Sequence, residues 1–168
     1  YGMQNSGDDA LMYAAAWGAQ KFLNVQHLRV SSQRDLQIPH FGKLSKTQSA
    51  SQYIRGQNRF EHYYSALRSR RVIFGGGSVL HNAQDINIKL DMMALSGLNG
   101  HLALGVGLGP FKNTAAEKAC ARFLNRCDFV GVRDKDSYTV AKALAPDANV
   151  DLTFDLAPLL LCRDDFQL

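Results

Sequence analysis

The sequence predicts an α/β fold with a doubly wound, mostly parallel sheet of the Rossmann-like kind. Three short runs, residues 72–74, 102–106 and 129–132, are apolar throughout, as expected for central strands buried on both faces. Segments with helical spacing of apolar residues alternate with these runs. Glycine-rich or polar corners follow the runs. Such alternation favours helices on both faces of the sheet, with ligands at the carboxyl ends of the strands.

The first third of the chain is less regular. Apolar spacing predicts a helix over residues 9–23, capped by Asp8 or Asp9, and a short strand over 27–31. Residues 32–51 are polar and weakly patterned, which indicates a loop. A helix is predicted over residues 58–69.

The remaining elements follow in regular order. A strand over 71–74 ends sharply at Gly75-Gly76-Gly77-Ser78, a helix covers 85–98, and a strand over 101–106 is broken by the glycines that follow it. Thr114 and Glu117 form a capping box for a helix that runs to residue 126. A strand over 128–132, a helix capped by Asp134 and a short strand near 149–152 complete the pattern.

The length of 168 residues suits one α/β domain over residues 1–168. The chain opens in a loop with no strand before the first helix, so we expect a fragment that lacks its first strand. We also expect an exposed apolar patch near residues 156–161, where a further domain would pack.

Composition narrows the function classes. The net charge of +4 is spread along the chain, and only Arg68-Ser69-Arg70-Arg71 approaches a cluster, so nucleic acid is not expected as a partner, whereas a small anionic ligand is. The odd count of cysteines, without CxxC spacing, indicates reduced core thiols and a cytoplasmic location. No membrane span and no metal site are expected from the residue pattern.

The first candidate ligand corner is Asn5-Ser6-Gly7-Asp8-Asp9, just before a predicted helix. Backbone amides at a helix N-terminus attract anions, and Gly7 would allow close approach of a ligand. Asn5 and Asp8 could hydrogen-bond hydroxyl groups. Simple helix capping by the two aspartates explains the same pattern equally well.

The second corner is the triple glycine, Gly75, Gly76 and Gly77, with Ser78 after it. Consecutive glycines indicate unusual backbone dihedrals or close approach of a ligand, and a tight turn is the alternative. The run is neither a Walker A loop nor a dinucleotide-binding fingerprint.

The third corner contains Arg133, between a strand and the helix that Asp134 caps. A guanidinium there can hold a carboxylate or phosphate with two parallel hydrogen bonds. A salt bridge to Asp134 or Asp136 is the alternative.

Taken in order, these corners resemble the polysaccharide pyruvyltransferase family. The resemblance covers nearly the whole chain and rests on the runs Asn5-Ser6-Gly7-Asp8-Asp9-Ala10-Leu11, Val72-Ile73-Phe74-Gly75-Gly76-Gly77-Ser78-Val79-Leu80, Gly105-Val106-Gly107-Leu108-Gly109-Pro110, Val130-Gly131-Val132-Arg133-Asp134-Lys135-Asp136-Ser137 and Asp155-Leu156-Ala157. The resemblance implies the N-terminal domain of a two-domain, GT-B-like enzyme that transfers pyruvate from phosphoenolpyruvate to a sugar of a cell-surface polysaccharide or its precursor. A C-terminal domain would complete the cleft, so this chain alone is expected to be inactive.

The resemblance also implies roles for individual residues. Arg133 is expected to grip the donor, and Asp8 is the candidate acid or base. Asn5, Gly7, the three glycines, Ser78 and Ser137 are expected to bind substrate, with no cofactor and no metal. Two alternatives remain open: a nucleotide-sugar-dependent glycosyltransferase domain, and a sugar-binding relative without catalysis.

Overall fold

The computed structural model describes residues 6–32, 43–48, 56–97 and 99–162, and these form two units. One unit comprises residues 66–155, and the other comprises residues 1–65 with 156–168. In chain order the elements are α1 Ser6–Leu23, β1 His27–Ser32, β2 Lys43–Gln48, α2 Gln57–Leu67, β3 Ile73–Leu80, α3 Ala83–Leu95, β4 Leu102–Leu108, α4 Thr114–Arg126, β5 Phe129–Val132, α5 Lys135–Leu144, β6 Val150–Leu152 and a short 3-10 helix, Ala157–Cys162.

In the unit that contains α1, strands β1 and β2 pair in parallel, with His27 opposite Lys43. The loop predicted over residues 32–51 is therefore wrong for β2, whose polar residues form a strand by pairing with β1. The sequence does not predict this strand, because its residues are mostly polar and the sequence signal for a strand is alternation of apolar and polar residues. The other residues of that predicted loop, 33–42 and 49–51, lie outside the described residues.

Helix α1 begins earlier than predicted. It starts at Ser6, so Asp8 and Asp9 lie within its first turn rather than before it. Carboxylates in a first turn interact favourably with the positive end of the helix dipole, which favours this longer helix.

Helix α1 also contacts the 3-10 helix near the end of the chain. Leu156 and Leu160 are buried there, while Leu161 is 67% exposed. The apolar patch predicted near residues 156–161 is thus exposed at Leu161 but covered at Leu156 and Leu160.

The unit of residues 66–155 contains a four-stranded, all-parallel sheet in the order β3-β4-β5-β6, flanked by helices. This confirms the predicted α/β, Rossmann-like fold. Within the described sheet β4 and β5 are central as predicted, whereas β3 is an outer strand.

The core of this unit lies where α3, α4 and α5 cover the sheet. Helix α4 shows why the sequence folds in this way, because Ala116, Ala119, Cys120, Phe123 and Leu124 recur at helical spacing and are all buried. These side chains pack with residues of β3, β4 and β5, including Leu80, Val106, Val130 and Val132.

The cysteines occupy two kinds of environment. Cys120 and Cys127 are buried, and burial raises the pKa of each thiol to about 12. Cys162 is exposed, so the prediction of core thiols is confirmed for two cysteines and wrong for the third.

The N-terminal cap of α4 lies one residue before its predicted position. The N-cap of α4 is Asn113, whose Oδ1 accepts from Ala116 N over 3.0 Å, so the capping box from Thr114 to Glu117 is wrong. Asn113 has the extended backbone that a cap requires, and Thr114 is already helical. Asp134 caps α5 as predicted. Among the described residues, no helix combines the length and apolarity that a membrane crossing requires.

Candidate functional site

The carboxyl ends of the four parallel strands meet along one edge, here called the carboxyl edge. One row of paired residues marks it: Gly77 lies opposite Val106, Val106 opposite Val132, and Val132 opposite Leu152. Neighbouring strands are about 4.8 Å apart, so Gly77 and Val132 are separated by about 10 Å. The triple glycine and Arg133, which follows Val132, therefore lie on the same edge, two strands apart.

The triple glycine lies inside β3 and does not end it. Gly75 pairs with Leu104, Gly77 with Val106 and Leu80 with Leu108, so both the predicted sharp end of the strand and the tight-turn alternative are wrong. Gly76 and Gly77 have φ of 74° and 79°, and the register shifts between Gly77 and Leu80. Glycine adopts positive φ without steric cost, which lets the strand distort and continue. The result is a stretch of backbone without side chains at the carboxyl edge.

Arg133 is the first residue after β5. Its backbone N–H donates to Val106 O over 3.1 Å, and its side chain is 33% exposed. The guanidinium lies between two carboxylates, with Nε 3.6 Å from Asp134 Oδ2 and Nη1 3.8 Å from Asp155 Oδ2. The alternative of an ion pair with Asp134 is thus observed, together with a second partner that the sequence had not indicated.

Asp134 combines this ion pair with helix capping. Its Oδ1 accepts from Ser137 N over 2.7 Å. That hydrogen bond is the main reason why the pKa of the Asp134 carboxyl is lower than its ordinary value. The Ser137 hydroxyl and the nearby Arg133 lower the pKa further, by smaller amounts. Asp134 is therefore held as a carboxylate next to Arg133.

Ser137 is buried, with 1% of its surface exposed. Its Oγ accepts from Leu108 N over 2.9 Å, which ties the first turn of α5 to the end of β4. This predicted substrate-binding residue lies beneath the surface of the carboxyl edge, where it supports Asp134 and Leu108.

Asp155 reaches Arg133 because the chain after β6 is anchored. Thr153 N and Thr153 Oγ1 both donate to Val132 O, over 2.7 and 3.1 Å. Gly131 makes room for Thr153, since a Cβ at Gly131 would lie only 2.9 Å from the threonine Oγ1. Sequence reasoning used Asp155 only to delimit the resemblance. The available signal was an aspartate just past the last predicted strand of the sheet.

The remaining predicted residues belong to the other unit or lie outside the part of the chain that the structure describes. Gly7 and Asp8 are in the first turn of α1, which belongs to the other unit. Asn5 lies outside the described residues, as does the side chain of Ser78. In the part of the chain that the structure describes, no three His, Cys, Asp or Glu side chains converge as metal ligands would.

These features define a Rossmann-like α/β protein whose carboxyl edge carries an arginine between two carboxylates and a glycine backbone without side chains. The sequence model of the polysaccharide pyruvyl transferase family matches residues 5–167, nearly the whole chain. The chain therefore belongs to that family of transferases. Comparisons with curated proteins and with solved structures give no significant match.

Proposed function

We propose that this protein transfers pyruvate from phosphoenolpyruvate to hydroxyl groups of a sugar in a cell-surface polysaccharide or its precursor. The observation that carries the proposal is the position of Arg133, a partly exposed guanidinium at the carboxyl end of β5 in a chain of the pyruvyl transferase family. Ligands of doubly wound sheets bind at this edge.

The chemistry of the donor matches the residue types of the edge. Phosphoenolpyruvate carries a carboxylate and a phosphate, and an arginine fork holds either group with two parallel charge-assisted hydrogen bonds. Arg133 is tied to β4 through its own N–H, so its backbone is fixed before any ligand arrives. The glycine backbone of β3, on the same edge, allows a ligand to come closer than it could to a strand with side chains.

The other proposed substrate-binding residues contribute in different ways. Gly75, Gly76, Gly77 and Ser78 would line the edge next to the donor, and Ser137 would act from beneath by supporting Asp134. Asn5 and Gly7 remain proposed substrate ligands, and Asp8 remains a proposed acid or base. The reaction as proposed needs phosphoenolpyruvate as donor substrate and no cofactor.

The experiment is a pyruvyl transfer assay with the full-length protein. Phosphoenolpyruvate is offered with a panel of sugars and nucleotide sugars, while phosphate release and the mass of the sugar product are followed. We expect phosphate release that depends on an acceptor, together with a pyruvylated sugar. Release of a nucleoside diphosphate from a nucleotide sugar without phosphoenolpyruvate would instead identify a glycosyltransferase. Sugar binding with neither reaction would identify a relative without catalysis.

A further inference from the structure

Arg133 and its two carboxylates form a compact charged group at the carboxyl edge. Nη1 lies 3.8 Å from Asp155 Oδ2 and Nε lies 3.6 Å from Asp134 Oδ2. The side chains of Asp155 and Arg133 are 40% and 33% exposed, so a ligand can reach both. Two carboxylates therefore lie close to the guanidinium that the proposed function assigns to an anionic donor.

An anion that binds Arg133 must come close to both carboxylates, and like charges at such distances disfavour binding unless one of them is neutralised. Asp134 is poorly suited to accept a proton. Its carboxylate accepts a hydrogen bond from the N–H of Ser137, and protonation would weaken this cap of α5. Asp155 is a second carboxylate close to the guanidinium, and its side chain is 40% exposed.

We propose that Asp155 is the general acid that protonates phosphoenolpyruvate while Arg133 holds the donor. The inference rests on the proposed function, since it names the acid of that reaction. Pyruvyl transfer needs both an acid and a base, and Asp155 is assigned the role of the acid.

The π electrons of the donor's C2–C3 double bond take the proton from the Asp155 carboxyl, so a C3–H bond forms and C2 becomes cationic. A sugar hydroxyl oxygen then attacks C2 and loses its proton to a base. The bond between C2 and the phosphate oxygen breaks, and its electron pair leaves with the phosphate. A second sugar hydroxyl can attack C2 and lose its proton, which closes a ketal.

The geometry is consistent with this role. If Arg133 grips the carboxylate of the donor, the methylene carbon lies only two bonds from the carboxylate carbon. An acid that contacts the same guanidinium is then within reach of it. Thr153 fixes the chain two residues before Asp155 through both of its bonds to Val132 O, so the carboxyl group does not depend on a loose segment.

The test compares Asp155→Asn with Asp151→Asn in the full-length protein. Asp151 is an exposed carboxylate on β6, four residues away, and serves as the matched control. Binding of phosphoenolpyruvate is measured by calorimetry without acceptor between pH 6 and pH 9, and kcat is measured with acceptor. Both are measured at a temperature at which circular dichroism shows each variant folded.

We expect Asp155→Asn to bind phosphoenolpyruvate at least as tightly as wild type, because the substitution removes a negative charge next to the bound anion. Its kcat should fall at least about hundredfold, the ordinary contribution of a general acid. Asp155→Glu keeps an acid and should recover part of the lost kcat. Asp151→Asn should match wild type in both measurements.

Weaker binding by Asp155→Asn at every pH would overturn the proposal, because Asp155 would then only orient Arg133. An unchanged kcat in Asp155→Asn would show that another group is the acid. Both results presuppose that wild type turns over phosphoenolpyruvate. If wild type neither binds nor consumes phosphoenolpyruvate, the proposed function fails, and the assignment of Asp155 falls with it.

Discussion

The Ser137 hydroxyl oxygen accepts a hydrogen bond of 2.9 Å from the backbone N–H of Leu108, so a side chain in the first turn of α5 completes the end of strand β4. The same residue donates its own N–H to Asp134, the neighbour of Arg133. One buried serine therefore connects the end of a central strand, a helix cap and the charged group of the carboxyl edge.

Replacing Ser137 with alanine should destabilise the fold. The substitution leaves the buried Leu108 N–H without this acceptor, and the cost of such a loss is about 1–3 kcal/mol. The free energy of unfolding from urea denaturation measures it. Thr139→Ala on the same helix is the control, since its exposed hydroxyl donates to Lys135 O within the helix, and it should cost less than about 0.5 kcal/mol. Equal stability of the two variants would show that the Ser137 bond contributes little.

Replacing Arg133 with lysine should weaken donor binding in the full-length enzyme while leaving the melting temperature nearly unchanged. Lysine keeps the charge but loses the two-pronged fork. Loss of charge-assisted hydrogen bonds corresponds to about 1.5–3 kcal/mol, or about ten- to a hundredfold in affinity for phosphoenolpyruvate. Arg122→Lys, at an exposed arginine that bonds Asn87, is the control.

The purely structural role of Arg133 gives the opposite pattern. If its ion pairs with Asp134 and Asp155 serve only the fold, Arg133→Ala should lower the melting temperature and leave KM for phosphoenolpyruvate unchanged. A folded Arg133→Ala enzyme with wild-type KM and kcat would eliminate Arg133 as a donor ligand.

Replacing Gly76 with alanine should destabilise the protein by about 1–2 kcal/mol, because Gly76 has φ of 74°, a left-handed conformation that costs L-residues this amount. Gly97→Ala is the matched control. A Cβ at Gly97 would meet only Ser69 O, at an ordinary 3.8 Å, so its unfolding midpoint should stay near that of wild type. If both variants unfold at the same denaturant concentration, the positive φ of Gly76 imposes no strain.

Stability should decrease as the pH falls below about 6.5, through His101. Burial first, and then the nearby Arg126, lower the pKa of this histidine, while Asp128 partly opposes them and Arg71 lowers it slightly more. Protonation would also place a proton on Nδ1, which now accepts from Val72 N over 3.3 Å.

The folded state loses stability at low pH because it binds a proton at His101 less readily than the unfolded chain does. The unfolded chain takes up a proton at His101 near pH 6.5, whereas the folded chain does so only at lower pH, so the folded state loses stability between these two pKa values. Urea denaturation at pH 7.5 and 5.5 measures the loss, and His101→Gln should reduce it. A pH dependence that is the same in wild type and in His101→Gln would assign the loss to other groups.

Most of the fold could be predicted from the sequence because its signals are local. The helical spacing of α4, the apolar runs of β4 and β5 and the aspartate cap of α5 each depend on residues that are close together in the sequence. Strand β2 could not be predicted, because its polar residues become a strand only through pairing with β1.

The candidate site, too, could be predicted from the sequence only in part. Arg133 could be named from the sequence, because a strand pattern followed by Asp134 as a cap places it at the carboxyl edge. The triple glycine stands out in the sequence, but only pairing with β4 shows that the strand continues through it.

The sequence by itself determined the α/β class, the family and the arginine at the end of β5, because each depends on residue types at short spacing. The tertiary structure alone decided that Asp155, 22 residues after Arg133 in the chain, contacts the guanidinium and that the Ser137 hydroxyl is buried against Leu108. Both contacts arise because parallel pairing brings the ends of β4, β5 and β6 to one edge, and the order and register of that pairing are set by packing across the whole sheet.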